Sequence, residues 1–110
     1  MGRFLSEPFR ARFPVVARSI GDMVESTNPA GYIAACEALR DADVRAVVPG
    51  ICAPSLIIAS ELDVSTPPSQ SEELQALIAG SELVVLPRTA HLSSVESPAA
   101  FNRCLARFLT

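Results

Sequence analysis

The spacing of apolar residues changes character once along this chain, near residue 50. From Ser6 to Val48 the spacing is helical. Val16, Ile20, Met23 and Val24 recur at i, i+4, i+7 and i+8, and Pro14 stands where a first helical turn tolerates an imino acid. A second helix follows, with Asn28 as its N-cap and Pro29 as its first residue. Along it Tyr32, Ile33, Cys36 and Leu39 line one face, while Glu37, Arg40 and Asp41 face water. These apolar stripes are expected to pack against neighbouring elements, and Asp43 is expected to cap a short turn.

Beyond Pro49-Gly50 the pattern alternates. Ser55-Leu56-Ile57-Ile58-Ala59-Ser60, led in by Pro54, is a short apolar run of branched residues that predicts a buried parallel strand. Thr66-Pro67-Pro68 opens a helix with Leu74, Leu77 and Ile78 facing inward, and Gly80 ends it. Glu82-Leu83-Val84-Val85-Leu86 predicts a second strand, cut off by Pro87. A loop with His91 follows, and Ser97-Pro98 starts a last helix with Phe101, Leu105, Phe108 and Leu109 on one stripe. Strand, helix, strand, helix implies α/β architecture with parallel pairing through a right-handed crossover. Two parallel strands leave two unpaired edges, so a complete sheet needs more strands. Either another chain or copy covers the edges, or further strands of a larger domain do. The second is favoured.

Composition narrows the function classes. The 110 residues are 49% hydrophobic and 19% charged, which fits one small globular domain. A net charge of −3 provides no basic patch for nucleic acid and no attraction to an anionic membrane surface. The longest apolar run, around Leu56 to Ala59, is far below the roughly eighteen residues of a membrane-spanning helix. Cys36, Cys52 and Cys104 are too few and too scattered for a disulfide framework, so a reduced, cytoplasmic setting is expected. With one His and no C-x-x-C pair, no metal site and no cofactor are expected.

In open parallel sheets ligands bind beyond the carboxyl ends of the strands. There the first strand runs into the loop with Asp63 and the second into the loop with His91, 28 positions later. One crossover consumes about that much chain, so the carboxylate is placed to accept the Nδ1 proton of the imidazole. A lone His after a strand is ordinarily a packing or capping residue, and a lone loop Asp near Pro is ordinarily a turn acid. Together, in the order acid then base and at one sheet edge, they fit a nucleophilic hydrolase.

Three segments carry a family resemblance. They are Gly31-Tyr32-Ile33-Ala34-Ala35-Cys36-Glu37-Ala38-Leu39-Arg40-Asp41-Ala42-Asp43, the strand and acid loop through Asp63 and Pro67-Pro68, and Ala90-His91-Leu92-Ser93-Ser94-Val95-Glu96. Through them nearly the whole chain resembles the C-terminal part of an α/β-hydrolase, of the 3-oxoadipate enol-lactonase branch that serves the β-ketoadipate pathway of bacterial aromatic catabolism. The resemblance implies that residues 1–49 are the end of a helical cap and residues 50–110 the C-terminal part of the core. It implies Asp63 as triad acid, His91 as general base, and a small lactone or ester as substrate. Arg3-Phe4 resembles a cap Arg-Trp pair that meets substrate, with Phe4 in place of the Trp. Ser60 stands where the family usually has Gly, which is expected to alter the turn without moving Asp63.

The fold's nucleophile sits in a G-x-S-x-G elbow, and Gly2, Gly21, Gly31, Gly50 and Gly80 frame no Ser or Cys in that way. These 110 residues alone are therefore expected to be inert. An N-terminal hydrolase half, contributing the Ser and the remaining strands, is the expected partner. The competing expectations are a non-catalytic remnant or interaction module, and half of a split esterase of other specificity.

Overall fold

The computed structural model describes residues 2–110. The N-terminal helical stretch divides at Pro14. α1 (Glu7–Arg12) is capped by Ser6, whose hydroxyl accepts the Phe9 N–H, and it closes where Phe13 donates its N–H to Phe9 O. Pro14 has no N–H with which to continue that ladder, so it starts α2 (Pro14–Glu25) instead. α3 (Pro29–Asp41) begins where Asn28 Oδ1 accepts from Ala30 N at 2.9 Å and Gly31 N at 3.3 Å. Asp43 then accepts the Arg45 N–H at 3.1 Å, and a 3-10 turn at Val48–Gly50 leads into the second half.

The expected burial of the N-terminal stripes is corrected by the structure. α1 and α2 pack on each other, but α3 makes no extensive contact with another described element. Met23, Val24, Tyr32, Ile33 and Leu39 are all exposed. Periodicity identifies an apolar face, whereas burial needs a surface to cover it, and none among the described residues does.

β1 (Leu56–Ser60) and β2 (Glu82–Leu86) pair in parallel, with Leu56 opposite Glu82 and Ser60 opposite Leu86. The crossover helix α4 (Pro68–Leu77) packs across both strands, burying Ile78 and half-burying Leu74 and Leu77. The strands are less buried than expected. Only Ala59, Ser60 and Leu86 are shielded, because this two-stranded sheet keeps both outer edges open. Ser60 keeps a negative φ at the strand's end, so the backbone there does not require glycine.

Two further corrections concern the C-terminal segment. The stretch after His91, read as loop, contains a short helix, α5 (Ser93–Glu96). On α6 (Pro98–Leu109), which packs against β2, the half-buried stripe is Phe101, Cys104 and Phe108. Leu105 and Leu109, expected on that stripe, are exposed, since one strand is too narrow to cover the whole apolar arc.

Gly80 links α4 to β2 with φ at +74°, and a Cβ there would meet nothing within 4 Å. A Gly80→Ala change therefore strains the backbone without a clash. It is expected to cost about 1 kcal/mol, read from the denaturant midpoint; an unchanged midpoint would show that the left-handed turn does not constrain this connection.

Candidate functional site

The site begins where β1 and β2 end, because hydrogen bonds continue past both strands. Glu61 donates its N–H to Leu86 O at 3.0 Å and Leu62 donates to Thr89 O at 2.9 Å. Between them Arg88 adopts a left-handed φ of 57°, a conformation that costs a non-glycine residue about 1 kcal/mol. Its N–H donates to Glu61 Oε2 at 2.7 Å, and the buried Thr89 hydroxyl donates to Leu86 O at 3.0 Å. The two loops are thus laced together before either candidate residue is reached.

Asp63 Oδ2 and His91 Nδ1 lie 2.8 Å apart. The Asp63 side chain is 6% exposed and that of His91 33%, so the carboxylate is shielded while the imidazole keeps access to the surface. Asp63 is held by its own loop. Oδ1 accepts the Ser65 N–H at 2.8 Å and the Thr66 N–H at 3.0 Å, and Oδ2 accepts the Thr66 hydroxyl at 2.7 Å. Burial opposes the charge on Asp63. The hydrogen bonds from the Thr66 amide, His91, the Thr66 hydroxyl and the Ser65 amide outweigh that penalty and bring its pKa down to about 2. An ionised carboxylate only accepts, so the Nδ1 facing it carries the proton and Nε2 of the neutral ring is free to accept another.

Phe4 reaches this pair from the other end of the chain. Its carbonyl accepts the Leu92 N–H at 2.9 Å, and its ring lies 5.9 Å from the imidazole, tilted by 51°. Arg3, its neighbour, is exposed. The structure therefore brings Asp63, His91 and Phe4 together and leaves Arg3 at the surface beside them. A cleft of about 780 Å³ lies between the end of α3 and α4, with Leu39, Arg45, Gln70 and Leu74 on its walls. Thr66 reaches its rim, but Asp63 and His91 do not line it.

Thr66 and Glu96 also belong to this site, although neither stands out in the sequence as a site residue. The signal for Thr66 was local, since Asp-x-Ser-Thr is a spacing at which a carboxylate caps the amides two and three positions on. Glu96 gave no such signal, because its partners at Ser6 and Ala90 lie 90 and six positions away. Among the described residues no three His, Cys, Asp or Glu side chains gather closely enough to hold a metal ion, and Cys36, Cys52 and Cys104 are free. No described helix is long and apolar enough to cross a membrane.

No family model matches the chain. It is 33% identical over 103 residues to 3-oxoadipate enol-lactonase 2 of Acinetobacter baylyi, covering 94% of this chain and 38% of that protein. The crystal structure of the enol-lactonase from Burkholderia xenovorans LB400 superimposes with a TM-score of 0.95 and 36% identity, over 98% of this chain and 41% of that one. MGS-M2, an α/β-hydrolase from a Medee basin deep-sea metagenome library, matches with a TM-score of 0.85 and 27% identity, over 98% of this chain and 41% of that one. The parallel strands, their crossover and these likenesses define the class of fold: the chain presents a portion of the α/β-hydrolase fold. Within that class its likeness is to the 3-oxoadipate enol-lactonases, and it spans about two fifths of the length of the relatives named.

The depressed pKa of Asp63 links the site to stability. Because the folded value of about 2 lies below the ordinary 3.8, the ionised form favours folding. This contribution, on the order of 2 kcal/mol, is complete above pH 4 and is lost as the pH falls through the folded value. The stability gap between the native chain and Asp63→Asn, from urea unfolding at stepped pH, is expected to shrink by about that amount between pH 5 and pH 2. A gap independent of pH would show that the carboxylate is not held as described.

Proposed function

We propose that Asp63 and His91 serve as acid and base of a hydrolase that opens a small enol-lactone, with the nucleophilic Ser contributed from outside these 110 residues. The observation that carries this reading is the 2.8 Å contact between Asp63 Oδ2 and His91 Nδ1 at the ends of adjacent parallel strands. In the proposed reaction His91 Nε2 takes the proton of the Ser hydroxyl as its oxygen attacks the lactone carbonyl. The imidazolium that forms is stabilised by Asp63. The ring C–O bond then breaks, the proton passes to the leaving enol oxygen, and an acyl-enzyme remains. Water, deprotonated by His91, attacks that ester and releases the carboxylic acid and the free Ser. The chemistry needs only side chains and water.

In this reading residues 1–49 are the end of a cap and residues 50–110 belong to the catalytic core. Phe4 supplies an apolar wall beside His91. Arg3, free to swing at the surface, pairs with the carboxylate of the substrate through two parallel N–H bonds. A place in the β-ketoadipate pathway and a reduced, cytoplasmic setting follow from the same reading, in line with the three free cysteines. The open edges of β1 and β2 are then where an N-terminal half would dock. A second reading, a non-catalytic module that associates with its own copies, draws on the same edges and on the uncovered apolar face of α3.

Co-expression with the N-terminal portion of an enol-lactonase relative separates the two. The 110-residue chain alone is expected to turn over no enol-lactone. The reconstituted pair is expected to hydrolyse it, and His91→Ala to remove at least about 10³-fold of that rate. Turnover by the isolated chain, or a complex whose activity ignores His91→Ala, would contradict the proposal. Self-association that excludes the N-terminal portion would favour the module.

A further inference from the structure

Glu96 closes α5 five positions after His91, and its carboxylate is engaged on both oxygens by groups from opposite ends of the chain. Oε1 accepts the Ser6 N–H at 2.7 Å and the Ala90 N–H at 3.2 Å, and Oε2 accepts the Ser6 hydroxyl at 2.6 Å. Ala90 is the residue before His91 and is itself buried. Ser6 caps α1 and follows Leu5, which is completely buried, and Phe4, whose ring faces the imidazole. The Leu92 N–H, donated to Phe4 O, adds a second tie on the other side of His91. His91 is therefore bracketed. The residue before it hangs on Glu96, the residue after it hangs on Phe4, and Glu96 holds the segment that carries Phe4.

We propose that Glu96 is a positioning residue that sets His91 and the Arg3-Phe4 segment in one fixed relation, so that the proton-accepting ring and the substrate-facing wall move as a unit. This role rests on the reading of His91 as general base, but the bonds to Glu96 stand apart from that chemistry. Each bond to Glu96 is charge-assisted and shields a donor that otherwise lies part-buried without a partner. The hydroxyl of Ser6 donates to Glu96 while accepting the Phe9 N–H, so the cap of α1 and the base loop share one hydroxyl. Losing the carboxylate frees the His91 loop and loosens the α1 cap together. Gln can replace it in outline, because its oxygen accepts both amides and its NH₂ donates to the Ser6 oxygen after that hydroxyl rotates. Leu has the bulk and none of the bonds.

Nuclear magnetic resonance on the 110-residue chain tests this without relying on activity. In the native chain, cross-relaxation is expected between the Phe4 ring and the His91 ring protons. In Glu96→Leu that signal is expected to vanish, the His91 ring resonances to move towards those of an unstructured histidine, and Ala90 amide exchange to accelerate on the order of tenfold. Glu96→Gln is expected to restore the Phe4–His91 signal and most of the amide protection. Ser6→Ala, which removes one of the three bonds, is expected to shift the His91 resonances in the same direction by less, and it keeps the test decisive if Glu96→Leu does not fold. Unchanged His91 resonances in folded Glu96→Leu or in Ser6→Ala would overturn the proposal, as would a Gln variant as perturbed as the Leu one. An intact clamp in a reconstituted enzyme that hydrolyses no lactone would instead contradict the hydrolase reading and leave the positioning role standing.

Discussion

The register of two parallel strands governs everything at this site. Ser60 lies opposite Leu86, and the ladder runs on through Glu61 to Leu86 O and Leu62 to Thr89 O, so the Asp63 loop and the His91 loop leave the sheet already joined. Side chains alternate faces along a strand, and a slip of one residue would turn every one of them over. Asp63 stands three residues after β1 and His91 five after β2, and those short tethers bring the two side chains within 2.8 Å of each other. The left-handed Arg88 is the local cost of that arrangement, offset by the bond from its N–H to Glu61.

Once the loops are set, the charge on Asp63 does the electrostatic work. A buried carboxylate without partners would take up a proton, but here four hydrogen bonds reach its two oxygens. Oδ2 is shared between the Thr66 hydroxyl and His91, while Oδ1 is occupied by two amides of the same turn. The carboxylate is thereby held largely by its own loop. Three of the four bonds come from that loop and one from His91.

Both strands, the crossover helix, the N-cap at Asn28 before Pro29 and the loops with Asp63 and His91 were legible because local chemistry fixes each of them. Branched apolar runs bounded by Pro mark the strands, Pro in the first turn marks the helix starts, and Gly80 marks a positive φ. Burial was not legible in the same way. The stripes on α2 and α3, and Leu105 and Leu109 on α6, are apolar by spacing yet exposed, since a stripe states what a helix offers and says nothing of what meets it. α5 escaped because four residues are too few to show a period. Glu96 escaped because its main partner, Ser6, is at the far end of the sequence, and no pattern of spacing reports a contact across 90 positions.

An ionised Asp63 fixes the proton of His91 on Nδ1 and leaves Nε2 to accept another. Long-range ¹H–¹⁵N correlation of the single histidine, recorded where the ring is neutral, reads this directly. A proton resident on Nδ1 is expected in the native chain, with loss of that preference in Asp63→Asn. A proton resident on Nε2, or the same mixture of tautomers with and without the carboxylate, would contradict it.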